Sequence, residues 1–387
     1  MDKNLPIFEV IDELTSKLVK TKRVVLTAPP GAGKSTVIPI NLNKNPAFSK
    51  GKIIVLEPRR LAVKQVASRM AQTLGEELGR TVGYRIRGEV KCGEKTKVEV
   101  VTEGILIRMI QEDQQLAGVS TIIFDEFHER SLNADLGLAF CLEIASVLRN
   151  DLKILVMSAT LEIAAVSKLM QGATIVSCEG KSFPVTPIWQ TKRVVQDQVI
   201  GKLLIEVILE AISENKGSIL VFLPGEGEII KLASSLINKV PDNCHVFPLY
   251  GRLGFKDQQK AIQPILAGRK IVLATNVAET SLTIEGIETV IDSGLSKRSI
   301  YDPNSGMSRL VTQKISKAEA NQRMGRAGRL HPGICYKLWS KAQDGSFPEF
   351  SPSEIEYSDL TPFALELALW GSNINQLALL TRPNEKA

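Results

Sequence analysis

Cysteine is sparse and scattered in this chain of 387 residues. Cys92, Cys141, Cys178, Cys244 and Cys335 form no C-x-x-C pair, and none has a histidine at ligand spacing. Neither a disulfide framework nor a thiolate metal cluster is expected from such spacing. Aromatic residues make up only 5% of the chain, which leaves few rings on which bases could stack. No segment approaches the roughly 18 uninterrupted apolar residues of a membrane span. Met1-Asp2-Lys3-Asn4 leads into an amphipathic stretch, not into a secretory n-region and apolar h-region. The expectation is a protein without membrane association in a reducing cytoplasm.

What the chain does have is aliphatic material. Hydrophobic residues are 44% and charged residues 23%, and Lys plus Arg exceed Asp plus Glu to give a net charge of +6. That balance favours a polyanionic partner, which a chain poor in rings would grip by its backbone. Short aliphatic runs recur at Val24 to Thr27, Ile53 to Leu56, Val98 to Val101, Thr121 to Phe124 and Ile154 to Met157. They read as strands of a parallel sheet buried on both faces. After Phe183-Pro184-Val185-Thr186-Pro187 the pattern restarts at Ile219 to Leu223, Val246 to Leu249, Ile271 to Ala274 and Val290 to Ile291. The length exceeds what one core serves, so two α/β domains side by side and part of a third are expected, with the proline-flanked stretch as the first junction. Gly294 to Ile315 reads as a hairpin turning at Asp302 to Gly306. Thr361 to Trp370 reads as a helix with proline in its first turn.

Four blocks carry chemistry. Gly31-Ala32-Gly33-Lys34-Ser35-Thr36 follows a strand and opens a helix, so successive backbone N–H groups can point at phosphates. Lys34 is expected to reach the β- and γ-phosphates of ATP, and Ser35 to place its hydroxyl on Mg2+. Ala28 stands where the phosphate-loop pattern has its first glycine, which the loop accepts if φ there is negative. Asp125 and Glu126 end the apolar run Thr121 to Phe124, at the carboxyl edge where open α/β sheets bind ligands. Asp125 is the expected metal contact. Glu126 is expected to polarise the attacking water and to lie beside the metal. Gln322, Arg326 and Arg329 follow the helix-forming Lys317 to Ala320 and would share one face of a continuing helix, aiming two guanidiniums at the developing phosphoryl charge.

Together with Glu57 to Val63 (EPRRLAV), Val101 to Gly104 (VTEG), Met157 to Glu162 (MSATLE) and Ala274 to Ile287 (ATNVAETSLTIEGI), these blocks resemble the ordered motifs of superfamily 2 helicases of the DEAH/RHA group. The stretch DEFHERSLNADLGLAFCLE is most similar to the bacterial HrpB-type branch, including Phe127 in the place of the group's usual alanine. The resemblance runs from about residue 5 to about residue 372. It implies two tandem RecA-like domains, at 1–185 and 186–345, and the start of a winged-helix-like segment at 346–387. It further implies an ATP-dependent motor, acting as a monomer on single-stranded nucleic acid, RNA before DNA, and moving 3′ to 5′. Carried over by motif, His128, Ser158 and Thr160 would couple nucleotide state to domain closure. Arg59, Arg60, Thr102, Gly104, Arg252, Thr275, Asn276 and Ser281 would contact the strand, mostly at its backbone. Thr283 and Glu285 would approach the ribose, and Arg69 would stack on the base.

Two departures qualify the resemblance. The aromatic residue expected opposite Arg69 is Ile262, which favours acceptance of several nucleoside triphosphates. The group continues into further C-terminal domains, whereas this sequence stops soon after residue 370. A nucleotide-switched clamp that binds RNA without unwinding it is therefore an alternative expectation, as is a stretch of chain whose fold is incomplete by itself.

Overall fold

Strand β1 (Arg23–Thr27) shows how the first sheet is built. In the computed structural model, which describes residues 5–159, 163–180, 183–191, 201–279, 284–329 and 331–383, Val24 and Leu26 face one apolar layer while Val25 faces another. Period-two alternation sends neighbouring side chains to opposite faces, so a strand covered on both faces must be apolar throughout. The same division separates Ile53 and Val55 from Ile54 and Leu56 on β2 (Lys52–Glu57), and Leu155 and Met157 from Ile154 and Val156 on β7 (Lys153–Ser158). The other strands of this unit are β3 (Val82–Ile86), β4 (Glu89–Lys91), β5 (Val98–Thr102), β6 (Val119–Phe124) and β8 (Thr174–Ser177). Among the described residues they form an eight-stranded sheet in the order β4-β3-β5-β2-β6-β7-β1-β8, parallel except for the β3–β4 pair.

Helices α1 (Ile11–Thr21), α2 (Lys34–Lys44) and α3 (Arg60–Leu74) pack on one face of that sheet, and α4 (Glu103–Glu112) and α5 (Leu132–Val147) on the other. Helix α5 is mostly apolar and buries eleven of its residues, as a helix covered on most sides must.

The chain divides into two compact units, Met1–Lys181 with Ser353–Ala387, and Ser182–Pro352. The helix expected at Thr361–Trp370 is present, and it packs on the first unit. Ile355, Phe363, Leu367 and Leu377 join the core around α4 and α5, and Trp370 stacks on Phe140 with ring centroids 4.7 Å apart.

The second unit holds β9 (Val185–Gln190), β10 (Ser218–Phe222), β11 (Cys244–Leu249), β12 (Arg269–Ala274), β13 (Ile287–Asp292) and β16 (Gly333–Ser340) in a parallel sheet ordered β11-β12-β10-β13-β16-β9. The hairpin read from the sequence is β14 (Leu295–Asp302) and β15 (Met307–Lys314), closed by Gly306 in the left-handed region at φ 64°. The proline-flanked stretch is only partly a connector. Val185–Gln190 forms an edge strand on β16, the position where Pro187 interrupts no second ladder. Among the described residues, no helix is long and apolar enough to cross a membrane.

Candidate active site

Residues 28–33 carry the chain from β1 into α2. Gly31 and Gly33 take φ of 85° and 92°, and Gly33 caps the helix, its carbonyl accepting from Thr36 N and Val37 N at 3.3 and 2.9 Å. Ala28 lies outside the left-handed region, so an alanine serves there. Its N–H donates to the Ser158 carbonyl at 3.1 Å, which fixes the loop to the end of β7. Ala32, Ser35 and Thr36 lie on the same loop and first helical turn, where N–H groups and the helix dipole favour an anion.

Lys34 Nζ lies 3.3 Å from Glu126 Oε1 and 3.7 Å from Asp125 Oδ1, all three side chains being buried. Burial by itself pushes an ammonium down, but Glu126 and Asp125, with Glu57 behind them, outweigh it and hold Lys34 above its ordinary value. Asp125 is raised as well. Burial raises its carboxyl, Lys34 opposes that, and the neighbouring Glu126 adds to it.

Glu126 sits at φ 49°, an uncommon backbone position for a residue with a side chain, and its N–H donates to Asp125 Oδ1 at 2.8 Å. The twist turns its carboxylate toward Lys34. His128 Nδ1 accepts from Ala159 N at 3.4 Å, which places the ring proton on Nε2, 3.3 Å from Glu126 Oε2. Burial pushes the imidazole below its ordinary value, against the pull of Glu126. Ala159, His128 and Glu126 thus form one connected set.

A cation fits this pocket. Asp125 Oδ2 is buried without a hydrogen-bond partner among the described residues, the Ser35 hydroxyl lies by the same carboxylate, and such oxygen donors are what Mg2+ takes from proteins. Lys34, Ser35 and Asp125 are the residues that would hold a metal–triphosphate there.

The expected strand contacts of the first unit lie at the carboxyl edges of two adjacent strands. Arg59 and Arg60 follow β2, Thr102 ends β5 and caps α4, and Gly104 is exposed in its first turn, with Glu57 and Thr102 in register. Arg69 is exposed on α3.

In the second unit Thr275 and Asn276 follow β12, exposed Arg252 follows β11, and exposed Glu285 precedes β13. Ile262 is 8% exposed at the end of its helix. Thr160, Ser281 and Thr283 lie outside the described residues.

The helix expected through Gln322, Arg326 and Arg329 stops early. It spans Lys317–Met324, and Gly325 ends it, so the two arginines lie on the turns beyond and share no helical face with Gln322. Arg326 Nη2 donates to the Glu279 carbonyl. Between them sits a residue that the spacing argument passed over. Arg323 is wholly buried, donating to Asp292 Oδ1 at 2.9 Å and Glu279 Oε2 at 3.2 Å, with its guanidinium over the Phe222 ring. Glu57, an equally buried carboxylate at the end of β2, was missed as well, although an acid closing an apolar run is the signal that marked Asp125 and Glu126.

Known proteins match this arrangement along the whole chain. Residues 9–169 match the DEAD/DEAH box helicase family model and residues 201–331 the helicase conserved C-terminal domain model. The chain is 46% identical over 382 residues to the ATP-dependent RNA helicase HrpB of Escherichia coli, covering 98% of this chain and 47% of that protein. It is 34% identical over 395 residues to the human ATP-dependent RNA helicase DHX33, covering 99% of this chain and 56% of that one. The crystal structure of the Escherichia coli DEAH/RHA helicase HrpB matches with a TM-score of 0.92 at 45% identity, over 99% of this chain and 49% of that one. The chain thus spans about half the length of these relatives, and its two units are tandem RecA-like domains.

Proposed function

The chain belongs to the DEAH/RHA helicase family, and from that premise we propose that it is an ATP-dependent motor acting on single-stranded RNA. The observation that carries this reading is the buried trio of Lys34, Asp125 and Glu126 at the head of a phosphate-binding loop. In this reading the loop N–H groups and Lys34 hold the β- and γ-phosphates, and Ser35 and Asp125 hold Mg2+. The metal, when bound, neutralises charge on the transferring phosphoryl group. Glu126 orients the attacking water and takes its proton, with His128, itself held by Ala159 N, fixing the carboxylate. Arg326, Arg329 and Gln322 carry the catalytic roles that their motif implies, and Arg69 and Glu285 contact base and ribose. Arg59, Arg60, Thr102, Gly104, Arg252, Thr275 and Asn276 hold the strand by its backbone, so binding weakens steeply with salt and discriminates little by sequence. Stepping runs 3′ to 5′.

The test is ATP turnover with and without single-stranded RNA and DNA over a salt series, together with Glu126→Gln and strand displacement. Glu126→Gln lowers turnover by about 10²- to 10⁴-fold, the usual worth of a general base, while ATP binding survives. Normal hydrolysis by that variant sinks the catalytic assignment. ATP-dependent RNA binding without displacement of a paired strand marks a nucleotide-switched clamp in place of a motor.

A further inference from the structure

The turn that follows Glu126 is fixed at its far end by contacts to other elements. On its far side Arg130 pairs with Asp135 through Nε and Nη2 at 3.2 and 3.1 Å and donates to Thr381 Oγ1 at 3.0 Å. Glu354 grips the same spot twice: its N–H donates to the Arg130 carbonyl at 3.1 Å and its carboxylate accepts from Leu132 N at 2.7 Å. Ser131 caps α5 and donates to Glu103 Oε2 at 2.6 Å. Residues 130–132 are therefore anchored to α4, α5 and the C-terminal segment at once.

Glu129 lies between this anchor and the hydrolytic carboxylate. Its N–H donates to the Glu126 carbonyl at 2.9 Å, and its side chain reaches out to Arg59, Nη2 to Oε2, at 3.0 Å. Both side chains are partly shielded, at 22% and 19% exposure, so solvent screens the pair only in part. A guanidinium fork donates to a carboxylate and to a phosphate in the same two-pronged geometry. An anion that takes the Arg59 fork must compete with Glu129, and a displaced Glu129 cannot pass its movement into the anchored residues 130–132. The link left to it is its own N–H on the Glu126 carbonyl.

We infer that Glu129 is an internal stand-in for a strand phosphate on Arg59, and that its displacement by the strand carries strand binding to Glu126. Glu129 is a positioning residue, and the inference rests on the reading of Arg59 as a strand contact.

The experiment uses the full chain, a fluorescein-labelled oligouridine and Mg-ATP, and compares wild type, Glu129→Gln, Glu129→Ala, Arg59→Ala and the Arg59→Ala/Glu129→Gln double variant. Removing the competing charge tightens oligouridine binding by about threefold or more, the scale of one partly screened ion pair. It also raises turnover without RNA toward the stimulated rate, so that the stimulation ratio shrinks from below. In the Arg59→Ala background the same change leaves affinity unmoved, because the pair it relieves is gone. The inference is overturned if Glu129→Gln keeps the wild-type affinity and ratio. It is equally overturned if the ratio shrinks only because the stimulated rate falls, or if the affinity gain persists without Arg59. A wild-type affinity in Arg59→Ala refutes the strand-contact reading itself, a separate result. Thermal melting at the wild-type midpoint shows that Glu129→Gln keeps the fold, and Glu129→Ala moves affinity and ratio in the same directions.

Discussion

Arg323 Nη1 donates to Asp292 Oδ1 at 2.9 Å with both side chains sealed from solvent, and this pair ties the helix Lys317–Met324 to the end of β13. The same guanidinium reaches Glu279 Oε2, so three segments distant in sequence share one charge. Asp292 and Glu279 hold the guanidinium far above the ordinary range, outweighing the opposing effect of burial. Removing the cation strands two buried carboxylates. Arg323→Met is expected to cost the second domain about 3–5 kcal/mol, the price of breaking a buried pair from one side. Arg323→Lys, which keeps the charge but loses the fork, costs less. Urea unfolding followed by the fluorescence of Trp189 and Trp339 checks both.

Arg323 also shows where the sequence stops being readable. The strands with continuous apolar runs were legible because burial on both faces demands them, as was Glu126 at the end of one. The edge strands Glu89–Lys91, Thr174–Ser177 and Val185–Gln190 were not, since an edge need not be apolar. The spacing of Gln322, Arg326 and Arg329 suggested a helical face, but Gly325 closes the helix first. The arginine that the fold buries looks no different in sequence from those beside it, because burial of a charge depends on acids brought from elsewhere in the chain.

Gly33 has two constraints where Gly31 has one. Both lie at positive φ, but a Cβ on Gly33 would stand 3.0 Å from Leu5 Cδ1 and 3.3 Å from Ile7 Cγ2 and Val37 Cγ2, whereas one on Gly31 meets nothing within 4 Å. Each alanine substitution carries the left-handed penalty of about 1–2 kcal/mol. Gly33→Ala in addition shifts the cap of α2, so it is expected to abolish the rise in melting midpoint that Mg-ATP produces, while Gly31→Ala weakens it. A ligand that binds only the folded state must raise that midpoint, which makes the shift a direct readout.

Glu103 predicts a pH dependence. Burial, opposed by the Ser131 hydroxyl and reinforced by Glu129, Glu354 and Asp135, pushes its carboxyl up to about 8. The folded state then holds this proton more tightly than the unfolded chain does. The contribution to stability falls as pH rises from the ordinary 4.5 to about 8, and is flat outside that window. Glu103→Gln stays neutral and still accepts from Ser131. The melting midpoint of the variant should therefore gain on that of wild type across the window and run parallel to it beyond. Glu103 keeps a solvent-facing edge, which limits the size of the gain. A constant offset at every pH sinks the assignment.

Trp370 tests how the C-terminal segment is held. Its ring stacks on Phe140, and its Nε1 donates to Glu143 Oε2 at 2.9 Å, where the Ser372 hydroxyl also donates. Trp370→Phe keeps the stack and loses the donor, an expected loss of about 1 kcal/mol. Trp370→Ala removes the stack as well, and because the ring is only half-buried the loss should sit near the lower end of the usual range, about 3 kcal/mol. The distinguishing measurement is proteolysis. If the segment is a strap on the first domain, Trp370→Ala opens cleavage sites between residues 353 and 383 under conditions where Trp370→Phe stays intact, and the freed core around Phe363 and Leu367 then lowers the melting midpoint of that domain. Equal protease resistance in the two variants would show that Ile355, Phe363 and Leu377 hold the segment without the ring.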